Sequence, residues 1–206
     1  MMDYTERILK KASEMFLIYG VKNVTMDNLA GELGISKRTL YEQFKDKDEL
    51  VIRCISHMIT EDNKELIELI ENAENVVEAM ILIIKRQEER RKEFPKVFIE
   101  DIKRYYPKVN AAFYSCRENL KKFSASFTLL EKGRNQGIFR KDLQYDLIDN
   151  FIHEMIGLFH HSERINLTNP TDADIFHNIM LPYFRGISTP KGLAMIDKHF
   201  EELNNQ

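Results

Sequence analysis

The chain has 206 residues and a formal net charge of −3, which excludes a minimal DNA-binding module coated in positive charge. With 43% hydrophobic residues, no Trp and few Gly or Pro, it has the composition of a globular helical protein. Its longest unbroken apolar run, Ala79 to Ile84, is far too short to span a bilayer, and the N-terminus carries no apolar signal core. Cys54 and Cys116 share no metal or redox spacing. A reduced, cytoplasmic protein with two structural thiols and no bound metal or cofactor is expected.

Asp3 and Glu6 fit a helix start, and Ile8, Leu9, Ala12 and Phe16 recur at helical spacing up to Tyr19, where Gly20 ends the pattern. Thr25 is placed to cap a helix from about Met26 to Leu33, with Leu29, Ala30 and Leu33 inward. Gly34 follows, suited to a left-handed helix end, and Ile35 plugs the corner. Ser36 then caps a two-turn helix, Lys37 to Gln43, held by Leu40 and Phe44. This is the pattern of a helix-turn-helix. Ala30 and Gly34, one turn apart, are expected where its two helices come closest, so that a larger side chain there would push them apart. The second helix turns Lys37, Arg38, Tyr41 and Gln43 outward, where they can bond phosphates or base edges. From Ser36 to Lys47 four basic residues outweigh two acidic ones, a local balance of +2 within an acidic chain.

At these residues the chain resembles the DNA-binding domain of the TetR family of bacterial transcriptional repressors. The matching pieces are Ile8, Leu9, Ala12, Phe16 and Gly20; Thr25-Met26 with Leu29-Ala30; Gly34-Ile35-Ser36; Thr39-Leu40-Tyr41 with Phe44; and Lys47, Glu49 and Leu50. The resemblance covers about the first quarter of the chain. It implies an all-α fold in which an N-terminal three-helix DNA-binding domain, residues 1–46, is joined by a long helix to a larger helical ligand-binding and dimerisation domain, residues 47–206. Thr25, Ser36, Thr39, Tyr41 and Lys47 are expected as phosphate anchors. Lys37, Arg38 and Gln43 are expected as base readers. Arg38 departs from the family pattern, in which a small residue is common. Glu42, unusual on a DNA-facing helix, could accept from cytosine or orient Arg38 one turn back.

Beyond Phe44 the chain still reads as helices. Asp46 and Glu49 form a second cap-like pair, opening a helix from about Lys47 to Ile70 that is the natural lever between the domains. A helix from Asn75 to about Arg91 ends in QEERRKE, expected as a solvated face. Pro95 and Pro107 bracket a short helix with a stripe of Phe94, Phe98, Ile102 and Tyr105. Pro107 is expected to start one longer helix through Ala111, Tyr114, Phe123, Phe127 and Leu130. After the turn Gly137 to Leu143, helices from Asp142 to His161, Thr171 to Gly186 and about Pro190 to Leu203 follow.

One two-turn helix contacts few bases, so such modules pair across a twofold axis and read half-sites about 34 Å apart, or a multiple of that. The expected homodimer interface uses Phe151, Ile152, Met155, Phe159, Ile175, Ile179 and Tyr183, since wide apolar faces mark those helices; the same faces could instead fill the monomer's own core. Phe94 to Phe159 holds 12 of the 21 aromatic residues, which suits an apolar cavity walled by Met80, Phe98, Tyr105, Phe113, Phe127, Met155 and Phe159, although such stripes also serve as plain core. The resemblance implies repression relieved by a small apolar or aromatic effector. The alternative is an architectural DNA binder that recruits a protein partner. No phosphate loop, nucleophile elbow or zinc-ligand spacing points to an enzyme. His153 and His160 share a helix face, and His160-His161 near the helix end serve the dipole more readily than a metal.

Overall fold

The computed structural model describes residues 4–106, 124–161 and 171–204. These residues are helical, joined by turns, and contain no strand; one isolated antiparallel bridge pairs Phe139 with Ser188. None of the described helices is long and apolar enough to cross a membrane.

The described chain forms two compact units, one of residues 4–62 and 90–106, the other of 63–89, 124–161 and 171–204. The first unit contains α1 (Tyr4–Tyr19), α2 (Met26–Leu33), α3 (Lys37–Gln43), the start of α4 (Lys47–Asn72), the end of α5 (Val76–Glu93), and α6 (Lys96–Tyr105). Its core is apolar: Ile8, Ala12 and Phe16 meet Leu29, Leu40, Phe44, Leu50 and Val51. Phe98 and Tyr106 are buried in the same core, with Phe94 and Ile102 packed partly against it. The α6 stripe therefore closes with Tyr106; Tyr105 is 40% exposed. Burial pushes the Tyr106 phenol above its ordinary pKa.

The second unit contains the remainder of α4 and α5, then α7 (Ala125–Asn135), α8 (Tyr145–His161), α9 (Asp172–Ile175), a π-helical turn (Phe176–Met180), α10 (Leu181–Gly186) and α11 (Pro190–Asn204). Its core gathers Ile70, Val76, Val77, Met80, Leu130, Ile138, Phe139, Ile152, Phe184 and Ile196. The single helix expected from Pro107 to Leu130 is not formed as such. A new helix begins at α7, because Ser124 is extended and its Oγ caps the Phe127 N–H at 3.1 Å. The part of that expectation over residues 107–123 lies outside the described residues. The helix expected from Asp142 starts later, at Tyr145, since Asp142 pairs with Arg140 in the preceding turn at 2.7 Å.

The charged stretch at the end of α5 is only partly a solvated face. Arg86 reaches Glu65 at 2.8 Å within the second unit. Arg90 reaches Asp62 at 2.8 Å within the first. Both arginine side chains are at most 20% exposed, and both carboxylates lie on α4. These contacts pair α5 with α4 through ion pairs more sheltered than ordinary surface ones.

Candidate nucleic-acid interface

The interface is built by caps. Thr25 Oγ1 accepts from the Asn28 N–H at 3.1 Å and the Asn28 side chain accepts from the Thr25 N–H at 3.3 Å, a reciprocal box that starts α2 at Met26. Gly34 ends α2 with φ +67°, and the Ile35 N–H turns back to the Ala30 carbonyl at 3.0 Å. Ser36 Oγ accepts from the Thr39 N–H at 3.0 Å and starts α3. Leu40 and Phe44 are fully buried beneath it. Of the two reasons expected for Gly34, the left-handed helix end holds and the close helix approach needs correction: a Cβ there would meet no atom within 4 Å, so packing does not require glycine. The positive φ does.

The outward face of α3 carries Lys37, Arg38, Tyr41 and Gln43, all exposed. Thr39 is half-buried, and its hydroxyl and that of Ser36 are 2.8 Å apart. The two cationic side chains of this face are held by carboxylates. Lys37 Nζ lies 2.8 Å from Oδ1 and 2.9 Å from Oδ2 of Asp27 on α2. That hydrogen bond raises the Lys37 pKa. Arg38 Nε donates to Glu42 Oε1 at 3.0 Å, one turn on. Gln43 Oε1 accepts from Thr5 on α1 at 3.4 Å. The sequence offered Glu42 as a partner for Arg38, but Asp27 was missed because only the fold brings position 27 to position 37.

At the start of α4 the Glu49 N–H donates to Asp46 Oδ1 at 2.8 Å, and Glu49 accepts from the Lys45 N–H at 2.9 Å, the cap-like pair that the spacing implied. Lys47 is half-buried, and its Nζ donates to the Lys22 carbonyl at 3.3 Å. Burial lowers its pKa, opposed by the Asp101 and Asp48 charges. Asp101 is a second residue that sequence reasoning missed. It is 8% exposed, and its Oδ2 accepts from the Lys22 N–H at 2.8 Å, which fixes the loop between α1 and α2.

Among the described residues, those expected to wall one cavity are divided between the two units. Phe98 lies in the core of the first unit, and Tyr105 stands at its surface beside the Lys22 ammonium, 5.1 Å from its ring centre. Met80 and Met155 are buried in the second unit, and Phe127 is half-buried there. Phe113 lies outside the described residues, as does the side chain of Phe159. An open groove of about 530 Å³ in the second unit is lined by Ile70, Phe127, Thr128, Lys132 and Gln136 among others, so of the expected wall residues it uses Phe127.

The expected dimer residues divide. Ile152 and Met155 are 2% and 8% exposed, and Ile152 packs into the unit's own core. Phe151 is 49% exposed, Ile179 is 41% exposed, and Ile175 and Tyr183 are half-buried. The Phe151 and Tyr183 rings meet at 5.3 Å. Leu147 and Leu158, which were not among the expected interface residues, are 64% and 55% exposed on the same face of α8 as Phe151. Spacings of four and seven residues align all three.

Residues 8–54 match the family described as bacterial regulatory proteins, tetR family. A helix-turn-helix transcriptional regulator of Staphylococcus aureus (strain bovine RF122 / ET3-1) is 47% identical over 50 residues, which are 24% of this chain and 27% of that protein. The chain therefore spans about a quarter of the length of this curated relative. The fold extends further. The fatty acid degradation regulator FadR from Bacillus halodurans superposes with a TM-score of 0.59 at 13% identity, covering 91% of this chain and 97% of that one. FadR from Thermus thermophilus, a TetR-family repressor solved in complex with lauroyl-CoA, superposes at 0.58 with 18% identity, covering 86% and 92%. Residues 8–54 thus form a capped helix-turn-helix segment similar to that of bacterial regulators of the tetR family.

Proposed function

We propose that the chain is a ligand-responsive transcriptional repressor. It binds a palindromic operator in double-stranded DNA as a homodimer and is released by a small apolar or aromatic effector. The observation that carries this reading is the exposed polar face of α3, set on a buried Leu40–Phe44 platform inside the segment that matches the family.

Residues 1–46, with Lys47 at the start of α4, supply the DNA contacts. Thr25, Ser36, Thr39, Tyr41 and Lys47 hold phosphates, while Lys37, Arg38 and Gln43 read base edges. Residues 47–206 supply dimerisation and effector binding. The exposed apolar row of Leu147, Phe151 and Leu158, with Ile179, supports pairing with a second copy. The acyl-CoA held by the fold neighbour from Thermus thermophilus makes acyl-CoAs the first effector class to screen. α4 runs unbroken from Lys47 to Asn72, so an effector that displaces its far end acts on its DNA-side end. For release, the effector must bind the non-operator arrangement more tightly. The protein works in the cytoplasm and carries no catalytic activity.

The test is fluorescence anisotropy on fragments flanking the protein's own gene over a salt series. Saturable binding of two chains to one palindrome, strongly weakened by salt, is expected. Absence of binding at low salt, with no co-purified small molecule, overturns the reading.

A further inference from the structure

We propose that Asp27 and Glu42 set base specificity by positioning Lys37 and Arg38 for guanine in each half-site. The proposal rests on the DNA-binding reading and goes beyond it by naming the base and two acidic residues as its determinants.

The geometry differs at the two pairs, and both arrangements leave donors suited to a base edge. Glu42 takes only the Nε edge of Arg38, at 3.0 Å. A guanidinium has five N–H donors, and the two terminal nitrogens remain. Among the described residues no acceptor is found for them. Those two nitrogens form the fork that matches guanine O6 and N7. The Arg38 side chain is 89% exposed, so its fork is open to a partner. Asp27 holds Lys37 Nζ with both oxygens, at 2.8 and 2.9 Å, which leaves one of three ammonium donors for an acceptor on a base. The Tyr41 ring, 6.0 Å away, flanks the same ammonium.

The carboxylates also act on the competing mode of binding. A long cation on a DNA-facing helix can swing to any phosphate, and that contact carries no sequence information. A cation already neutralised by a carboxylate must abandon it to do so. Reading a guanine requires no such loss, because the unused donors make the contact. Each carboxylate therefore lowers affinity for arbitrary DNA while leaving the contact with the right base in place. Both also place negative charge near phosphates, and that general repulsion must be separated from positioning.

The experiment starts with selection of duplexes from a randomised library by the full-length wild-type chain. Anisotropy then follows on the selected duplex, on single-base-pair variants of it, and on a scrambled duplex, for the wild type, Glu42→Ala, Glu42→Gln, Asp27→Ala and Asp27→Asn. Circular dichroism confirms that each variant is folded. The selected half-site is expected to contain a guanine whose replacement weakens the wild type by at least about fivefold. Glu42→Ala should flatten that preference at one position, and Asp27→Ala at another. Each should raise affinity for the scrambled duplex by up to about fivefold, the range of one exposed ion pair. Glu42→Gln should retain the guanine preference, because its amide oxygen still accepts from Nε without the charge. Alanine variants that keep the full preference overturn the proposal, as does a Glu42→Gln indistinguishable from Glu42→Ala. If the wild type selects a site with no guanine at these positions, the proposal falls alone. If it selects no sequence at all, the DNA-binding reading falls with it.

Discussion

The outer faces of α3 and α8 are opposite in character. α3 exposes Lys37, Arg38 and Gln43, each with a polar partner at 3.4 Å or less. α8 exposes Leu147, Phe151 and Leu158, two of them more than half exposed. An open row of large apolar side chains costs solubility unless something covers it, whereas charged side chains are stable in water. Under the proposed function, the two faces take different partners. The apolar row suits a second copy of the chain, and the polar face suits a polyanion with hydrogen-bonding edges.

The largest expected effect breaks the apolar side of this comparison. If the proposed dimer pairs through this row, Phe151→Glu with Leu158→Glu should convert it to monomers by sedimentation velocity, and lower affinity for a palindrome by about a hundredfold or more as the second half-site is lost. Far-UV circular dichroism should stay unchanged, because both positions are open to solvent. If the doubly charged variant still sediments as a dimer, the pairing surface lies elsewhere. Next comes the platform beneath the polar side. Phe44 is fully buried, so Phe44→Ala should cost about 3–5 kcal/mol in chemical denaturation, enough to unfold the first unit at ordinary temperature. Gly34→Ala should cost about 1–2 kcal/mol, from the left-handed backbone alone, because nothing crowds the added carbon. A loss well above that would restore packing as the reason for glycine.

Two smaller effects sharpen the comparison. Lys47→Ala should weaken binding to all duplexes alike and lower the salt slope by about one. A change in base preference would move Lys47 from anchor to reader. Cys54 is buried with its Sγ toward the Leu9 carbonyl, and burial pushes its thiol up to about 12 from 9.0. The unfolded chain ionises first, so stability should fall as pH rises from 9.0 toward about 12. In a Cys116→Ser background, Cys54→Ala should flatten that fall in urea titrations, and the native parent should be inert to thiol reagents at neutral pH.

The first unit was largely legible because its signals are local. Thr25, Gly34 and Ser36 act within four residues of their own positions, so cap chemistry alone set the bounds of α2 and α3. Periodicity found the inward residues Leu29, Leu40 and Phe16 for the same reason. The misses are long-range. Nothing local to Asp101 tells that it will hold the backbone of residue 22, 79 positions away. Nor does a stripe at helical spacing say which neighbour covers it, so Phe98 and Met80 were grouped though they belong to different units. Ile152 and Phe151 are adjacent, and one turns inward while the other faces out. A wide apolar face cannot reveal that division, because core and interface ask for the same side chains.

The second unit also holds a buried carboxylate that no local pattern announced. Asp149, 3% exposed, accepts from Ser124 Oγ at 3.1 Å and from Ser126 Oγ, and His153 Nε2 stands 3.5 Å away. Because Ser124 also caps α7, the negative charge sits at the positive end of that helix, which stabilises both.

Lys132 gives the end of α4 a different standing from its start. Its ammonium donates to the carbonyls of Ile70, Glu71 and Ala73, about sixty residues earlier in the chain. These are the groups a helix leaves unbonded where it stops. The beginning of α4 is written in its own sequence by Asp46 and Glu49, whereas its terminus is held by a residue on α7. A peptide cut from α4 would keep its first turn and fray at its last. The length of that helix is thus a tertiary property, set wherever α7 stands.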